Sequence, residues 1–135
     1  PYGFLLATQL PADLAVTWLE RFTQGLAADQ KHYGIRLFGG DSTRTTGPIT
    51  LSVTALGLLA PGLTPLRRNQ AQVGDAVYVS GTLGDAALGL HAEKHSFLAQ
   101  RYRLPEPRMA LGLALHGIAS ACMDVSDGLL QDAGH

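Results

Sequence analysis

The chain opens on an apolar run, Gly3 to Leu10, and then changes at once to a helical periodicity, and that change constrains the fold more than any other feature. The run has the texture of a buried strand. Pro11 and Asp13 suit a helix start, Pro because its missing N–H costs nothing there and Asp because it meets the positive end of the helix dipole. Ala15, Leu19, Phe22 and Leu26 recur at spacings of four, three and four, forming one apolar stripe that Tyr33 extends before Gly34 supplies a stop. Ile35 to Phe38 predicts a short strand running into Gly39-Gly40-Asp41, and Ile49 to Leu59 a longer strand rich in Val, Thr, Leu and Ile. Strand, helix, strand, strand points to an α/β or α+β protein.

From Ala60 to Gly74 the texture changes. Pro61, Gly62, Pro65 and two arginines occur with neither helical nor strand period, which predicts a boundary: residues 1–60 as one unit, 61–74 as a linker and 75–135 as a second unit. In the second unit Ala76 to Ser80 predicts a strand, Gly81 and Gly84 a turn, and Asp85 to His95 a helix. After Pro105 and Pro107 a further helix is expected to carry Leu111, Leu115 and Ile118, followed by a short strand from Ala121 to Val125. Ser126 is placed to cap a last helix beginning at Asp127.

With 46% apolar and 16% charged residues, the chain of 135 residues has enough apolar side chain for a core. A formal charge of -1 with no basic run excludes capture of nucleic acid or an anionic membrane by bulk electrostatics, so any polyanion must be held locally. The longest apolar stretch, Ala110 to Ala121, is broken by Gly112, His116 and Gly117 and is too short for a membrane span. Cys122 is the only cysteine, which rules out an internal disulfide and a cysteine-rich zinc site and makes the cytoplasm the expected compartment.

Two motifs could carry chemistry. Gly39-Gly40-Asp41-Ser42-Thr43-Arg44 compresses flexible backbone, a carboxylate, two hydroxyls and a guanidinium into six positions. Paired glycines let backbone N–H groups approach an oxyanion, a carboxylate holds a hard cation, and Arg grips phosphate through a planar fork. As a tight Gly-Gly turn with solvated polar residues the same run would do nothing beyond reversing the chain. In Asp124-Val125-Ser126-Asp127-Gly128, two carboxylates three apart can converge on one cation, while Ser126 and free helix N–H groups can meet phosphate oxygens. Capping alone would explain Ser126 and Asp127, but not Asp124.

Neither a Walker phosphate loop nor a dinucleotide fingerprint is present, and Gly81-Thr82-Leu83-Gly84-Asp85 is better explained by a close strand-to-helix crossing. His91 and His95 are four apart on the predicted helix, but no third ligand completes a metal site, so they are expected at the surface. Cys122 is expected as a small core residue, and Trp18 and Tyr33 as packing residues of the first helix.

The order of these features is more specific than any one of them. Gly39 to Arg44, then Gly47-Pro48-Ile49-Thr50-Leu51-Ser52-Val53-Thr54-Ala55-Leu56-Gly57, Leu66-Arg67-Arg68, Val73 to Asp85, and Asp124 to Leu129 together resemble the thiamine-monophosphate kinase family, over nearly the whole chain. That family is part of the superfamily of aminoimidazole ribonucleotide synthetase, which binds ATP without a Walker loop. The resemblance implies a two-unit fold of that type, here the later part of the N-terminal domain and the start of the C-terminal domain. It further implies transfer of the ATP γ-phosphoryl group to thiamine monophosphate with Mg2+, and a homodimer paired through the N-terminal domain. By the same resemblance Gly40, Asp41, Arg68 and Ser126 would contact ATP, and Asp41, Asp124 and Asp127 would be the magnesium ligands, converging on one magnesium-phosphate site. No protein nucleophile is needed in such a site, because the substrate phosphate attacks in line.

Thr45-Thr46 departs from the family as a small insertion, Asn69-Gln70 stands in place of the usual Ser-Gly, and Ala133 replaces a usual leucine. The family pattern would place further magnesium aspartates before Pro1 and a thiamine contact after His135, so the chain is expected to hold about half of an active site and to be inactive by itself. The competing enzyme classes are other ATP-using members of the superfamily, such as selenide water dikinase or a hydrogenase maturation factor. From a different class, a non-catalytic nucleotide-binding or dimerisation module would keep the fold without turnover, and the three retained aspartates argue against it.

Overall fold

A computed structural model describes all residues from Pro1 to His135. The chain divides into two compact units, Pro1–Gly62 and Leu63–His135. The first unit runs β1 (Gly3–Pro11), α1 (Val16–Tyr33), β2 (Arg36–Thr45) and β3 (Thr50–Leu56). Its three strands form one mixed sheet in the order β2-β1-β3. β1 runs parallel to β2 and antiparallel to β3, with a register shift opposite Phe4 and Leu5. A parallel pair requires a crossover, and the helix α1 supplies it.

The amphipathic stripe holds. Leu19, Phe22, Leu26 and Tyr33 are on the less exposed face of α1, together with Trp18, whose ring stacks on Phe22 at 5.1 Å. Gly34 ends the helix in the left-handed conformation at φ 64°, and its N–H donates to the Gln30 carbonyl. Gln30 then joins helix to strand, since its Oε1 accepts from the Leu37 N–H at 2.8 Å. The helix begins later than Pro11 and Asp13 suggest: Ala15 is the N-cap residue, and the first turn contains no acidic residue. Phe4 and Thr8 of β1 are buried, each 6% exposed, and form the unit's innermost layer.

The largest correction in this unit concerns Gly39-Gly40. They do not turn: β2 continues through the whole motif to Thr45. Both have extended backbone with positive φ, 149° and 155°, which a residue with a Cβ resists. At Gly40 a Cβ would also collide with the Leu6 carbonyl oxygen of the neighbouring strand, so the glycine permits the β1–β2 ladder to close.

The second unit contains no strand. It holds a 3-10 turn at Arg68–Gln70 and four short helices, α2 (Asp85–Gly89), α3 (Phe97–Arg103), α4 (Met109–Ala114) and α5 (Leu129–Ala133). Ala76 to Ser80 and Ala121 to Val125, both expected as strands, lie in irregular backbone. A strand depends on a neighbouring strand for its hydrogen bonds, and no second strand lies beside either segment in this unit. The helix expected from Asp85 to His95 stops at Gly89, where α3 packs close: a Cβ on Gly89 would strike the Leu98 carbonyl. His91 and His95 therefore lie in the exposed connection between α2 and α3 and do not share a helix face.

Helix α3 has no counterpart in the expected pattern. Its start is a local device, the Ser96 hydroxyl accepting from the Ala99 N–H at 3.2 Å, and Ala99 is 2% exposed. Cys122, expected in a core, is exposed. No helix or strand crosses Pro61 to Pro65, and no helix is long and apolar enough to cross a membrane.

Candidate functional site

In the first unit the strand β2 sets out the motif residues. Asp41 pairs with Ala7, Ser42 with Thr8, Thr43 with Gln9 and Arg44 with Leu10 in the parallel ladder. Their two hydroxyls are anchored on buried Thr8: its Oγ1 donates to Ser42 Oγ at 3.0 Å, and Thr43 Oγ1 donates to its carbonyl at 3.4 Å. Asp41 is exposed, and its Oδ1 accepts only from the Ser42 N–H at 2.9 Å, leaving the other oxygen free. Arg44 forms no ion pair, although a carboxylate is its usual partner. It lines a cleft of about 240 Å³ with Ser42, Thr43, Leu10, Pro11, Leu14 and Leu19. This end of the sheet presents a free carboxylate and an unpaired guanidinium on a backbone that the ladder holds still.

Arg68 opens the 3-10 turn in the second unit and is exposed, with no ion pair. Here the departure Asn69-Gln70 has a use, because Gln70 Oε1 accepts from the Arg67 N–H at 3.3 Å and closes the turn.

Asp124, Ser126 and Asp127 are all exposed, and neither carboxylate accepts a hydrogen bond from the chain. Ser126 does not cap the last helix; α5 starts two residues later than expected, with Gly128 in the capping position at φ 132° and no side-chain cap. The N–H groups of the turn ahead of α5 are taken. Those of Ser126, Asp127 and Gly128 donate to a single oxygen, Oδ2 of Asp132, at 2.8, 3.0 and 3.1 Å. Asp132 is 4% exposed. Burial pushes its carboxyl up, but the N–H donors of Asp127, Ser126 and Gly128 and the charge of His135 outweigh it and hold the group below its ordinary value. Inspection of the motif misses this residue, because an Asp in a polar helical turn looks like a solvated one.

Asp75 has a related environment. Its Oδ2 accepts from the Ser120 hydroxyl and from the Gln72 N–H, the latter at 2.9 Å. Those two bonds, the hydroxyl first, hold its carboxyl below the ordinary value against the smaller opposing effect of burial.

Within neither unit are three or more His, Cys, Asp or Glu side chains arranged to hold a metal ion. Asp41 belongs to the first unit and Asp124 and Asp127 to the second. Each is an exposed oxygen donor of the kind that hard divalent cations take, and magnesium bridging phosphates needs only one or two carboxylates per ion.

Comparison with known proteins agrees along the chain. Residues 1–59 match the family described as AIR synthase related protein, N-terminal domain. A thiamine-monophosphate kinase of Caulobacter vibrioides is 45% identical over all of this chain, which spans 40% of that relative. One from Haemophilus influenzae is 40% identical over all of this chain, which spans 43% of it. The chain thus spans less than half the length of these curated relatives. Among solved structures, thiamine-monophosphate kinase from Stenotrophomonas maltophilia K279a superposes with a TM-score of 0.86 at 42% identity, covering 99% of this chain and 46% of that one. AaThiL complexed with AMPPCP and TMP superposes with a TM-score of 0.83 at 33% identity, covering 98% and 45%. By sequence over its whole length and by its α+β fold, the chain is similar to thiamine-monophosphate kinases, and its first unit matches the N-terminal domain of the AIR synthase related proteins.

Proposed function

We propose that this chain is part of an ATP-dependent kinase that phosphorylates thiamine monophosphate to thiamine diphosphate. The observation that carries this is the likeness, in sequence and fold, to a relative that holds an ATP analogue and TMP together. Gly40, Asp41, Arg68 and Ser126 are the proposed ATP contacts, and Asp41, Asp124 and Asp127 the proposed ligands of Mg2+.

The local chemistry supports those roles. Asp41, Asp124 and Asp127 are exposed and nearly free of internal partners, so none has to give up a strong hydrogen bond to take a cation. Magnesium, when bound, supplies positive charge to the phosphate oxygens. Arg68 has no internal carboxylate to compete with phosphate, and Ser126 offers its hydroxyl. Gly40 is the proposed backbone contact, and the neighbouring Gly39 has open space where a Cβ would stand. The chain needs no nucleophile of its own: an acceptor phosphate attacks in line, and the protein positions the groups and offsets charge.

Residues 61–74 are proposed as the linker between a partial N-terminal domain, 1–60, and a partial C-terminal domain, 75–135, supported by the irregular backbone about Pro61 to Pro65. A homodimer through the first unit is proposed as well. β3 is an edge of the sheet and leaves Leu51, Val53 and Leu56 exposed, Val53 by 60%, and such a surface favours a partner. Residence in the cytoplasm is proposed from the lone, unpaired cysteine.

The test is direct. The full-length protein is incubated with ATP, magnesium and thiamine monophosphate, and thiamine diphosphate is measured by chromatography. Magnesium-dependent formation of the diphosphate is expected. ATP binding without any phosphorylated product would overturn the activity and leave a nucleotide-binding module. Light scattering of the same protein, with Val53→Lys as the variant, tests the dimer: a monomeric wild type refutes it.

A further inference from the structure

Asp132 stands out among the acidic residues of the chain because it is buried and because a single oxygen of it gathers three consecutive backbone N–H groups. Three donors converging on one point form an anion-binding nest of the kind that loops use to hold phosphate. Here the anion is the chain's own carboxylate. Hydrogen bonds to an ionised acceptor are about twice as strong as neutral ones, so the three bonds make a firm brace across the turn. The brace closes on itself, since the Asp132 N–H donates to the Gly128 carbonyl at 2.9 Å.

The consequence runs against the usual expectation for a loop that enters a helix. α5 has only five residues, and the three N–H groups ahead of it are already engaged by Asp132, so the turn of Ser126, Asp127 and Gly128 offers no backbone donor to an outside anion. What is left facing outward is the Ser126 hydroxyl and the carboxylates of Asp124 and Asp127.

We infer that Asp132 is a positioning residue: it fills the N–H nest of the Ser126–Gly128 turn as an internal anion, so that nucleotide phosphate meets this loop through side chains and the cation they hold, and not through backbone N–H groups. The inference rests on the proposed nucleotide chemistry for its purpose, while the brace itself rests on the hydrogen bonds.

The experiment uses the full-length protein, its Asp132→Ala and Asp132→Asn variants, and two probes, inorganic phosphate and magnesium-ADP. Amide exchange and chemical shifts of Ser126, Asp127 and Gly128 are followed by NMR, and magnesium-ADP affinity by calorimetry. In the wild type, phosphate is expected to leave the three amides unshifted. In Asp132→Ala their exchange accelerates about tenfold or more, phosphate shifts all three as it takes the vacated place, and magnesium-ADP affinity falls about tenfold, in the range seen when supports of metal ligands are removed. Asp132→Asn, which keeps an acceptor oxygen, recovers most of both losses.

Phosphate shifting the three amides in the wild type would overturn the inference. So would Asp132→Ala with exchange and affinity within about twofold of wild type, since supports of metal ligands are worth more than that. Should Asp132→Ala not fold, Asp132→Asn decides alone, an intermediate acceleration of the three amides supporting the brace and unchanged exchange refuting it. A wild type that binds phosphate nowhere and makes no thiamine diphosphate defeats the proposed function while the amide exchange still judges the brace.

Discussion

The two acidic motifs of this chain, both proposed to meet a metal-bound phosphate, are held by different mechanics. Gly39 to Arg44 is part of a strand, and its position is set by a ladder of backbone hydrogen bonds to β1, with Thr8 anchoring the two hydroxyls. Asp124 to Gly128 has no ladder, and one carboxylate five residues beyond Asp127 holds the turn. A sheet spreads positional control over many bonds, so single side chains are replaceable but the backbone path is not. A braced turn concentrates control in one residue, and the path is only as good as that residue. Substitutions should separate the two.

The largest effect is expected at Gly40. Gly40→Val introduces a Cβ into the Leu6 carbonyl at a backbone conformation that side chains resist, and should destabilise the first unit by about 3 kcal/mol or more, read by denaturant unfolding. Gly39→Ala sharpens the comparison: its φ is as unusual, but nothing lies within 4 Å of the added Cβ, so a loss of only about 1 kcal/mol is expected. Equal losses would show that backbone conformation, and not the ladder, sets the cost.

Asp124→Asn comes next and acts on function. In the full-length protein it should lower magnesium-dependent turnover roughly 10²-fold, as loss of a preorganised charge typically does, with the melting temperature unchanged. Asp29→Asn, at an exposed position of α1, should leave kinetics as they were. Equal turnover in both variants would remove Asp124 from the proposed site.

A smaller effect concerns pH. The Asp75 carboxyl is held below its ordinary value, first by the Ser120 hydroxyl and then by the Gln72 N–H, so it favours the folded state above the unfolded value of about 3.9. That contribution is lost as pH falls through the lowered folded value. Ser120→Ala removes the leading donor, and acid unfolding followed by circular dichroism should then depend less on pH below about 4. An unchanged acid profile would show that the bond has no energetic weight.

The smallest change is expected for Glu106→Gln. Its ion pair with Arg101 spans 3.0 Å on side chains that are 66% and 23% exposed, and exposed pairs are worth about 0.5 kcal/mol. The difference from wild type should vanish in high salt, and a difference that survived would point to packing by the Arg101 stem.

Most of the first unit was legible in the sequence, because its signals are local. The stripe Leu19, Phe22, Leu26 and the αL stop at Gly34 depend on neighbours within a few residues, and the period-3.6 pattern survives whatever the helix packs on. The donor types of the motif residues were legible too: carboxylates, a guanidinium and hydroxyls, of the kind that the proposed metal-bound phosphate would take. Their backbone was not. Gly39-Gly40 reads as a turn in isolation, and only the arrival of β1 alongside makes it a strand that no Cβ could enter.

In the second unit the balance is reversed. Ala76 to Ser80 and Ala121 to Val125 have strand composition, yet a strand is a relation between segments, and neither has a partner there. Asp85 to His95 has helical composition, yet close packing of α3 on Gly89 ends the helix. Asp132 is the sharpest case. Residue types alone determined that this chain carries two acidic motifs on an α+β framework. Tertiary structure alone decided which acids stay free and which one is spent inside the fold, because burial and the convergence of three N–H groups on one oxygen are properties of position and not of residue type.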